Sequence, residues 1–383
     1  MNLTFWSDSV VPSTTANSIQ VMKMCDAFNK LGHSTTLYAK KPDNSTRYTS
    51  SNLSELYGTT TKISIINHSS HSSMRHLDYD FKVLTSVLKS KTDMIYTRSL
   101  RGAFLANIFG KRNILELHSL PVTDTNTWML KKISAGHTLQ KIIVISNRLK
   151  ELLIDRHPYL SSDLVEIFHD AVDIERFSEP DFYPTLTKVD LDLNPTRKTI
   201  MYVGHLYSGR GIDLIEQLAR KLPEIDFMII GGTEKDVLYR QIRVTELGIS
   251  NLIYYGFIPN SKLHNYYQMA DILIMPYQKE VSVSSGGNTV DWMSPMKTFE
   301  YMATGKPLIS SDLPALREVL NEDVAVLVEP DNVEQWKSSI ENTLTNSSFA
   351  NKIAQNARQK AEANTWESRA HNILGSLSTC QNH

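Results

Sequence analysis

The chain has 383 residues, 41% hydrophobic and 21% charged, with a formal net charge of −1. That length exceeds what a single core fills, so two domains are expected, and the composition is that of a globular protein for which no nucleic-acid partner is expected. No run reaches the roughly 18 apolar residues that span a bilayer, which excludes an integral membrane helix.

The charge is uneven: residues 1 to 170 hold 20 Lys and Arg against 14 Asp and Glu, and the remainder holds 20 against 27. A basic first half suits an anionic acceptor or peripheral contact with an anionic membrane, or is simply a solvated face. Met1-Asn2-Leu3-Thr4-Phe5-Trp6 reads as an immediate strand without a basic segment before an apolar one, so a cytoplasmic protein, free or peripheral at the inner membrane face, is expected. Cys25 lies on the apolar face of a predicted helix and Cys380 in a polar tail, so no disulfide framework is indicated.

Short β-rich runs alternate with helical periodicity: 3–6, 35–38, 63–66, 94–96, 114–117 and 142–145, then 200–203, 227–230, 252–255, 272–275, 308–310 and 325–328. This predicts an α/β protein with two doubly wound parallel sheets, whose ligands belong at the carboxyl ends of the strands and hence in the cleft between domains. The expected division is 1–177, a linker over 178–196, 197–364 and a terminal helix over 365–383.

Along the first half, the loop Ser7–Asn17 leads into a helix with Val21, Cys25 and Phe28 on one face. Polar stretches 43–52 and 67–76 are loops; His68, His71 and His76 in the second lack the spacing and companions of a zinc set. Two Asp-x-Asp triplets, Asp78-Tyr79-Asp80 and Asp190-Leu191-Asp192, fall at a helix start and in the linker, where chance explains them, and no metal is expected. Arg98 and the pair Glu116 and His118 stand at strand ends. Arg98 could hold an anionic acceptor or pair with a carboxylate, Glu116 is placed on the acceptor side, and His118 could donate to a sugar hydroxyl or serve as an ordinary loop histidine.

In the second half, Gly204-His205-Leu206-Tyr207-Ser208-Gly209-Arg210-Gly211 is a glycine-rich loop between a strand and a helix, where backbone N–H groups and Arg210 can meet phosphate oxygens. Gly231-Gly232 ends another strand, and Gly256-Phe257-Ile258-Pro259 precedes a short helix. Residues 277–288 form either a mobile loop or a plain connection. Ser294-Pro295-Met296-Lys297-Thr298-Phe299-Glu300-Tyr301-Met302-Ala303-Thr304-Gly305-Lys306-Pro307 reads as a helix capped by Ser294, with Pro295 at its first position and Gly305 as its stop. Such a start suits an anion, with Lys297 one turn inside and Glu300 placed to accept from a pair of hydroxyls. An ordinary surface helix with Lys297 and Glu300 in solvent fits the same residues.

This last run resembles the donor-binding helix of GT-B retaining glycosyltransferases of family 4. The resemblance extends from Val11 to Trp366 and implies transfer of a sugar from a nucleotide diphosphate donor to a glycan, lipid-linked or small hydroxyl acceptor. No cofactor and no metal are implied. In that family a Glu, seven residues and a second Glu recur; Glu300 matches the second, which holds the ribose, and Trp292 stands where the first would lie.

Carried over residue by residue, the likeness assigns His118 as catalytic beside the donor sugar, and Arg210, Lys297, Ser294, Gly204 and His205 to the donor phosphates. It puts Asn17, Gly232, Ile258, Tyr277 and Asn288 near the donor sugar or base. His205 and Arg210 replace the family's Arg and Lys, so one charge persists and the other becomes pH-dependent. Thr15-Ala16 stand for a Gly-Gly, leaving Asn17, Ser18 and Gln20 as side-chain substitutes or as helix caps. Asp170 and Ala171 replace the Asn-Gly of a hinge segment, and the helix at Trp366 crosses back to the first domain. A non-hydrolysing nucleotide-sugar epimerase and a nucleotide-binding GT-B protein without transfer activity are the alternatives.

Overall fold

The computed structural model describes residues 1–42, 53–177, 186–281 and 288–377. They divide into two compact units, Met1–Asp170 with the terminal segment from Trp366, and Ala171–Thr365.

The first unit holds β1 (Asn2–Val10), β2 (Ser34–Lys40), β3 (Ser64–His68), β4 (Met94–Thr97), β5 (Asn113–Leu117), β6 (Leu139–Val144) and β7 (Val165–Ile167). Their order across the sheet is β3-β2-β1-β4-β5-β6-β7, all parallel. The second holds β8 (Thr199–Val203), β9 (Asp226–Ile230), β10 (Leu252–Gly256), β11 (Ile272–Met275), β12 (Leu308–Ser311) and β13 (Val326–Val328), ordered β10-β9-β8-β11-β12-β13 and again parallel. The central strands β5, β8 and β9 are buried along their whole length. Covered on both faces, β8 and β9 read as apolar runs without alternation after their first residue, whereas β5 carries Glu116 within its buried run.

Three expectations change. β1 runs on through Ser7 to Val10, where a loop was predicted; Val10 pairs with Lys40, and the Val11 N–H donates to the Lys40 carbonyl while its side chain is buried, so burial draws the backbone on along β2. The strand Val165–Ile167 was not foreseen. Residues 186–196, expected in the linker, lay Leu191 and Leu193 into the second core, and the Asn194 N–H donates to Asp226; residues 178–185 lie outside the described residues.

In each unit the strand order reverses beside the first strand, at β1/β4 and at β8/β11. Connections leave such a point toward opposite faces and open a crevice beyond the carboxyl ends of the two strands. The terminal helix Trp366–Gly375 packs on the helix Ala16–Lys30 of the first unit, with Lys30 paired to Glu367 at 2.6 Å.

Candidate donor site and a buried ion cluster

In the second unit the loop after β8 folds against the segment that follows β11. Gly209 and Gly211 have φ of 82° and 78°, and a Cβ on either would stand 1.8 Å from the Glu280 carbonyl oxygen and 1.9 Å from that of Pro276. Glycine is therefore required here by backbone packing on 276–281, where the sequence suggested close approach to an anion. The docked loop sets the Arg210 guanidinium over the Tyr277 ring at 4.6 Å. Burial works against the Arg210 charge, but Tyr277 and Tyr202 hold its pKa above the ordinary value, and its Nε is buried without a hydrogen-bond partner.

His205 stacks on Tyr207, rings 4.7 Å apart and 5° from parallel. Burial, then Arg210 and Lys297, push its pKa below the usual imidazole value, with Asp236 opposing. The ring is neutral at neutral pH, so the pH-dependent cation expected there is absent in that range. The same fact puts two cations within electrostatic reach of one imidazole, Arg210 from the loop after β8 and Lys297 from a helix.

Lys297 and Glu300 belong to the helix Met296–Ala303. It starts one residue later than predicted: Pro295 is the cap residue, extended with ψ of 125°, and its own side chain makes no capping hydrogen bond. The Thr298 N–H donates to the Pro295 carbonyl at 2.9 Å, and buried Ser294 stands one residue before the cap position. The helix is fastened to the end of β8 through Tyr301, whose hydroxyl accepts from the Val203 N–H at 2.7 Å and donates to the Val203 carbonyl at 3.2 Å. Glu300 accepts from Lys297 at 2.5 Å, Tyr267 at 2.9 Å and Asn260 at 3.4 Å. Burial raises its pKa, but Lys297 and the hydrogen bonds bring it below the usual carboxylate range, so it is ionised. With side-chain exposures of 12% and 21%, Glu300 and Lys297 are not the solvated pair of an ordinary surface helix. Sequence reasoning passed over Tyr267, Asn260 and Arg176, which donates to Asn260.

Of the remaining expected donor residues, Gly232 faces Leu206 at the end of β9, Ile258 packs half-buried on the core, and Tyr277 is buried in it. Gly204 closes β8, its N–H donating to the Ile230 carbonyl. Asn288 ties a loop stem, its Oδ1 accepting from the N–H groups of Val281 at 2.9 Å and Val290 at 3.1 Å. The Ser284–Gly287 part of that loop, the stretch 43–52 and Cys380 lie outside the described residues.

In the first unit the predicted residues meet at Glu116, on β5. Glu116 is 1% exposed and does not face an acceptor as expected. Its carboxylate accepts from Gln20 at 2.8 Å, from His118 Nε2 at 2.5 Å, from Arg369 at 3.0 and 3.4 Å, and from the Tyr96 hydroxyl. Burial would raise its pKa, yet Arg369, His118 and Arg98 hold it well below the carboxylate range. An ionised carboxylate only accepts, so the proton between it and His118 sits on Nε2. Burial and Arg98 push the His118 pKa down to about 4 against the pull of Glu116. The imidazole is therefore neutral, and the N–H expected to donate to a sugar donates to Glu116 instead. Arg98 donates to Gln20 Oε1 at 2.7 Å and lies beside Glu116 and Asp170, closer to the ion-pairing alternative than to an acceptor-holding one. Asp170, buried, is pushed up to about 7, mainly by burial.

Arg369, from the terminal helix, was not singled out by sequence. Its guanidinium is 4% exposed and also donates to the carbonyls of His169 at 2.8 Å and Phe168 at 3.1 Å. Asn17 is exposed in the first turn of its helix, while Ser18 closes on Ser13 and Thr15 as a capping cluster and Gln20 points to Glu116. His71 pairs with Asp78 and His76 with Ser70, and among the described residues no cluster of three or more His, Cys, Asp or Glu side chains is arranged to hold a metal.

Comparison with known proteins bears on the second unit most directly: residues 185–360 match the family model of glycosyl transferases group 1. The matched segment is one domain, somewhat under half of the chain. This domain includes both the Arg210 loop and the Lys297–Glu300 helix. The chain is 22% identical over 273 residues to the putative glycosyltransferase YtcC of Bacillus subtilis, covering 65% of this chain and 62% of that protein. It is 22% identical over 259 residues to the alpha-galactosylglucosyldiacylglycerol synthase of Streptococcus pneumoniae, covering 63% and 66%. The chain thus spans somewhat under two thirds of the length of these curated relatives. Among solved structures, the Anabaena protein HepE in complex with UDP-glucose superposes with a TM-score of 0.76 at 15% identity, over 99% of this chain and 100% of that one. Two parallel-sheet Rossmann-like units of this kind are the GT-B fold.

Proposed function

We propose that the protein is a retaining, family 4 glycosyltransferase that moves a hexose from a nucleotide diphosphate donor to a hydroxyl acceptor in glycan, polysaccharide or glycolipid synthesis. The observation that carries this is the convergence of Arg210 and Lys297 on His205 at the carboxyl end of β8, with ionised Glu300 one turn beyond. Departure of the diphosphate is the demanding step. Cations and backbone N–H groups fixed where its charge develops stabilise that transition state without reorganising. Arg210 is held ready by Tyr277, and Lys297 is one flexible side chain away, exchanging Glu300 for phosphate when the donor arrives. Glu300, still held by Tyr267 and Asn260, then accepts from the ribose hydroxyls. His118 serves the donor sugar as a neutral imidazole.

The HepE complex with UDP-glucose supports a uridine donor, and the synthase of S. pneumoniae supports a glycolipid acceptor. Peripheral contact with an anionic membrane suits the basic first unit, where Trp128 is half-exposed one turn before Lys131 and Lys132. Among the described residues no helix is long and apolar enough to cross a membrane.

The test incubates the protein with UDP-sugars and a cell lipid extract and follows products by mass spectrometry. Release of UDP with an acceptor gaining a hexose mass is expected. An isomerised donor of unchanged mass, or binding without turnover, overturns transfer. In calorimetry, Arg210→Ala should raise the UDP dissociation constant by roughly 10- to 100-fold, as for loss of a charge-assisted phosphate contact; an unchanged value removes Arg210 from the phosphate site.

A further inference from the structure

We infer that Arg369, on the terminal helix, is a positioning residue for His118: it fixes the Glu116 carboxylate, which in turn takes the Nε2 proton and presents the imidazole to substrate through Nδ1 as an acceptor. This rests on the reading above in which His118 serves the donor sugar.

The geometry is a relay of three side chains from elements far apart in the chain. Arg369 spends its donors on four partners: the Phe168 carbonyl, the His169 carbonyl, the Met24 sulfur at 3.2 Å and both oxygens of Glu116. A planar fork engaged on that many sides has one orientation, which a lysine ammonium would not reproduce. Glu116 is fixed in turn from the other sides by Gln20 and Tyr96, so its oxygen toward His118 has a set position. Holding a histidine through one nitrogen determines which tautomer the other nitrogen shows. With the proton on Nε2, Nδ1 carries the lone pair. The ring then accepts from a sugar hydroxyl.

Glu116 on β5, Arg98 beyond β4 and Arg369 on the terminal helix act on the charge of His118, and Tyr96 on β4 and Asp170 after β7 act in turn on Glu116 and Arg98. Arg98 and Arg369 both oppose protonation of the ring, and Glu116 favours it. Removing Arg369 therefore raises the His118 pKa as well as loosening Glu116. The last helix, which follows the whole second unit in sequence, thus fixes the carboxylate to which the first unit's histidine is bonded.

The experiment uses the full chain with ¹⁵N-labelled histidine, the His118 signals being assigned by their loss in His118→Gln. In the wild type, long-range ¹H–¹⁵N spectra should show a neutral Nε2–H tautomer that titrates near pH 4. Arg369→Lys, which keeps the charge and loses the fork, should give a mixture of tautomers; Arg369→Met should in addition raise the His118 pKa by more than one unit. Both should lower kcat by roughly 10- to 100-fold, the size of effect that misplacing a reacting group produces, with the UDP dissociation constant within twofold of wild type. A folded Arg369→Lys or Arg369→Met with wild-type tautomer, pKa and kcat overturns the inference. Should Arg369→Met not fold, Arg369→Lys and Glu116→Gln give the same readout. If the wild type transfers no sugar, the functional reading fails, and the tautomer and pKa measurements still decide the role of Arg369.

Discussion

Each unit holds an ionised carboxylate near the carboxyl ends of its strands, Glu116 fully buried and Glu300 largely so, and the two are held in different ways. Glu116 is enclosed by Gln20, Tyr96, His118 and Arg369, with its cation 253 residues away in sequence. Glu300 has its cation three residues away on the same helix, and that cation is a lysine with a fifth of its side chain exposed. The first carboxylate is internal framework, since moving any partner strands a buried charge. The second has a partner that can swing to a phosphate at small cost, which is what a ligand-binding group needs.

The same substitution at both sites separates framework from ligand group. Glu116→Gln leaves Arg369 buried without its counter-charge and should cost about 3–5 kcal/mol of stability. Urea unfolding reads this directly, and a loss under 1 kcal/mol would show that the cluster tolerates neutralisation. UDP affinity should be unchanged in the same protein.

Asp170 sharpens the contrast within the first unit, because it shares the environment of Arg369 and Arg98 with Glu116 and titrates in the opposite direction. The folded pKa of Glu116 is depressed, so its contribution is present above the unfolded value near 4.3 and lost as pH falls. That of Asp170 is raised to about 7, mainly by burial. Its contribution is complete below the unfolded value near 3.9 and is lost as pH rises to about 7, a change on the order of 2–4 kcal/mol. Asp170→Asn should abolish that loss, making the variant more stable than wild type at pH 8 and little different at pH 4. Parallel stability curves for the two proteins from pH 4 to 8 would remove Asp170 as their source.

Glu300→Gln should do the reverse of Glu116→Gln. The amide keeps the shape and the hydrogen bond from Tyr267, so the melting temperature should move little. Losing the charge that accepts two ribose hydroxyls should weaken UDP roughly tenfold, about 1.4 kcal/mol. Equal affinity in calorimetry would place the ribose elsewhere.

The two sites also differ in how far sequence reveals them. Lys297 and Glu300 lie in one run of fourteen residues whose helix stop at Gly305 is explicit, and the Arg210 loop is contiguous as well; a short window holds the chemistry. The alternating strands were readable for the same reason, being short β-branched runs separated by helices. Val165–Ile167 escaped because three residues after a Ser-Ser-Asp turn give no period. The Glu116 cluster draws on positions 20, 96, 98, 118, 170 and 369, and only the order of strands in the sheet and the return of the last helix bring them together. Even with Glu116 and His118 both noticed, nothing local indicated that the carboxylate was internal. The correction at Gly209 and Gly211 has a similar origin: a glycine-rich loop looks alike whether ligand or neighbouring backbone fills the space over it, and here carbonyls of 276–281 fill it.

The smallest effect is expected at His205, where the neighbouring cations decide the outcome. A site with Arg210 and Lys297 already facing the imidazole gains little from a third positive charge, and burial acts in the same sense. The free protein thus keeps His205 neutral at neutral pH, and under the proposed reading any contribution it makes to donor binding is without charge. His205→Gln should change the UDP dissociation constant at pH 7.5 by less than about threefold, under 0.7 kcal/mol. Because UDP itself takes up a proton near pH 6, the informative quantity is the difference between variant and wild type measured at each pH from 6 to 8, which should stay flat. A wild-type affinity that tightens tenfold on acidification while the variant's does not would mean that the bound diphosphate holds His205 as a cation, and the charge of the site would then rest on three groups instead of two.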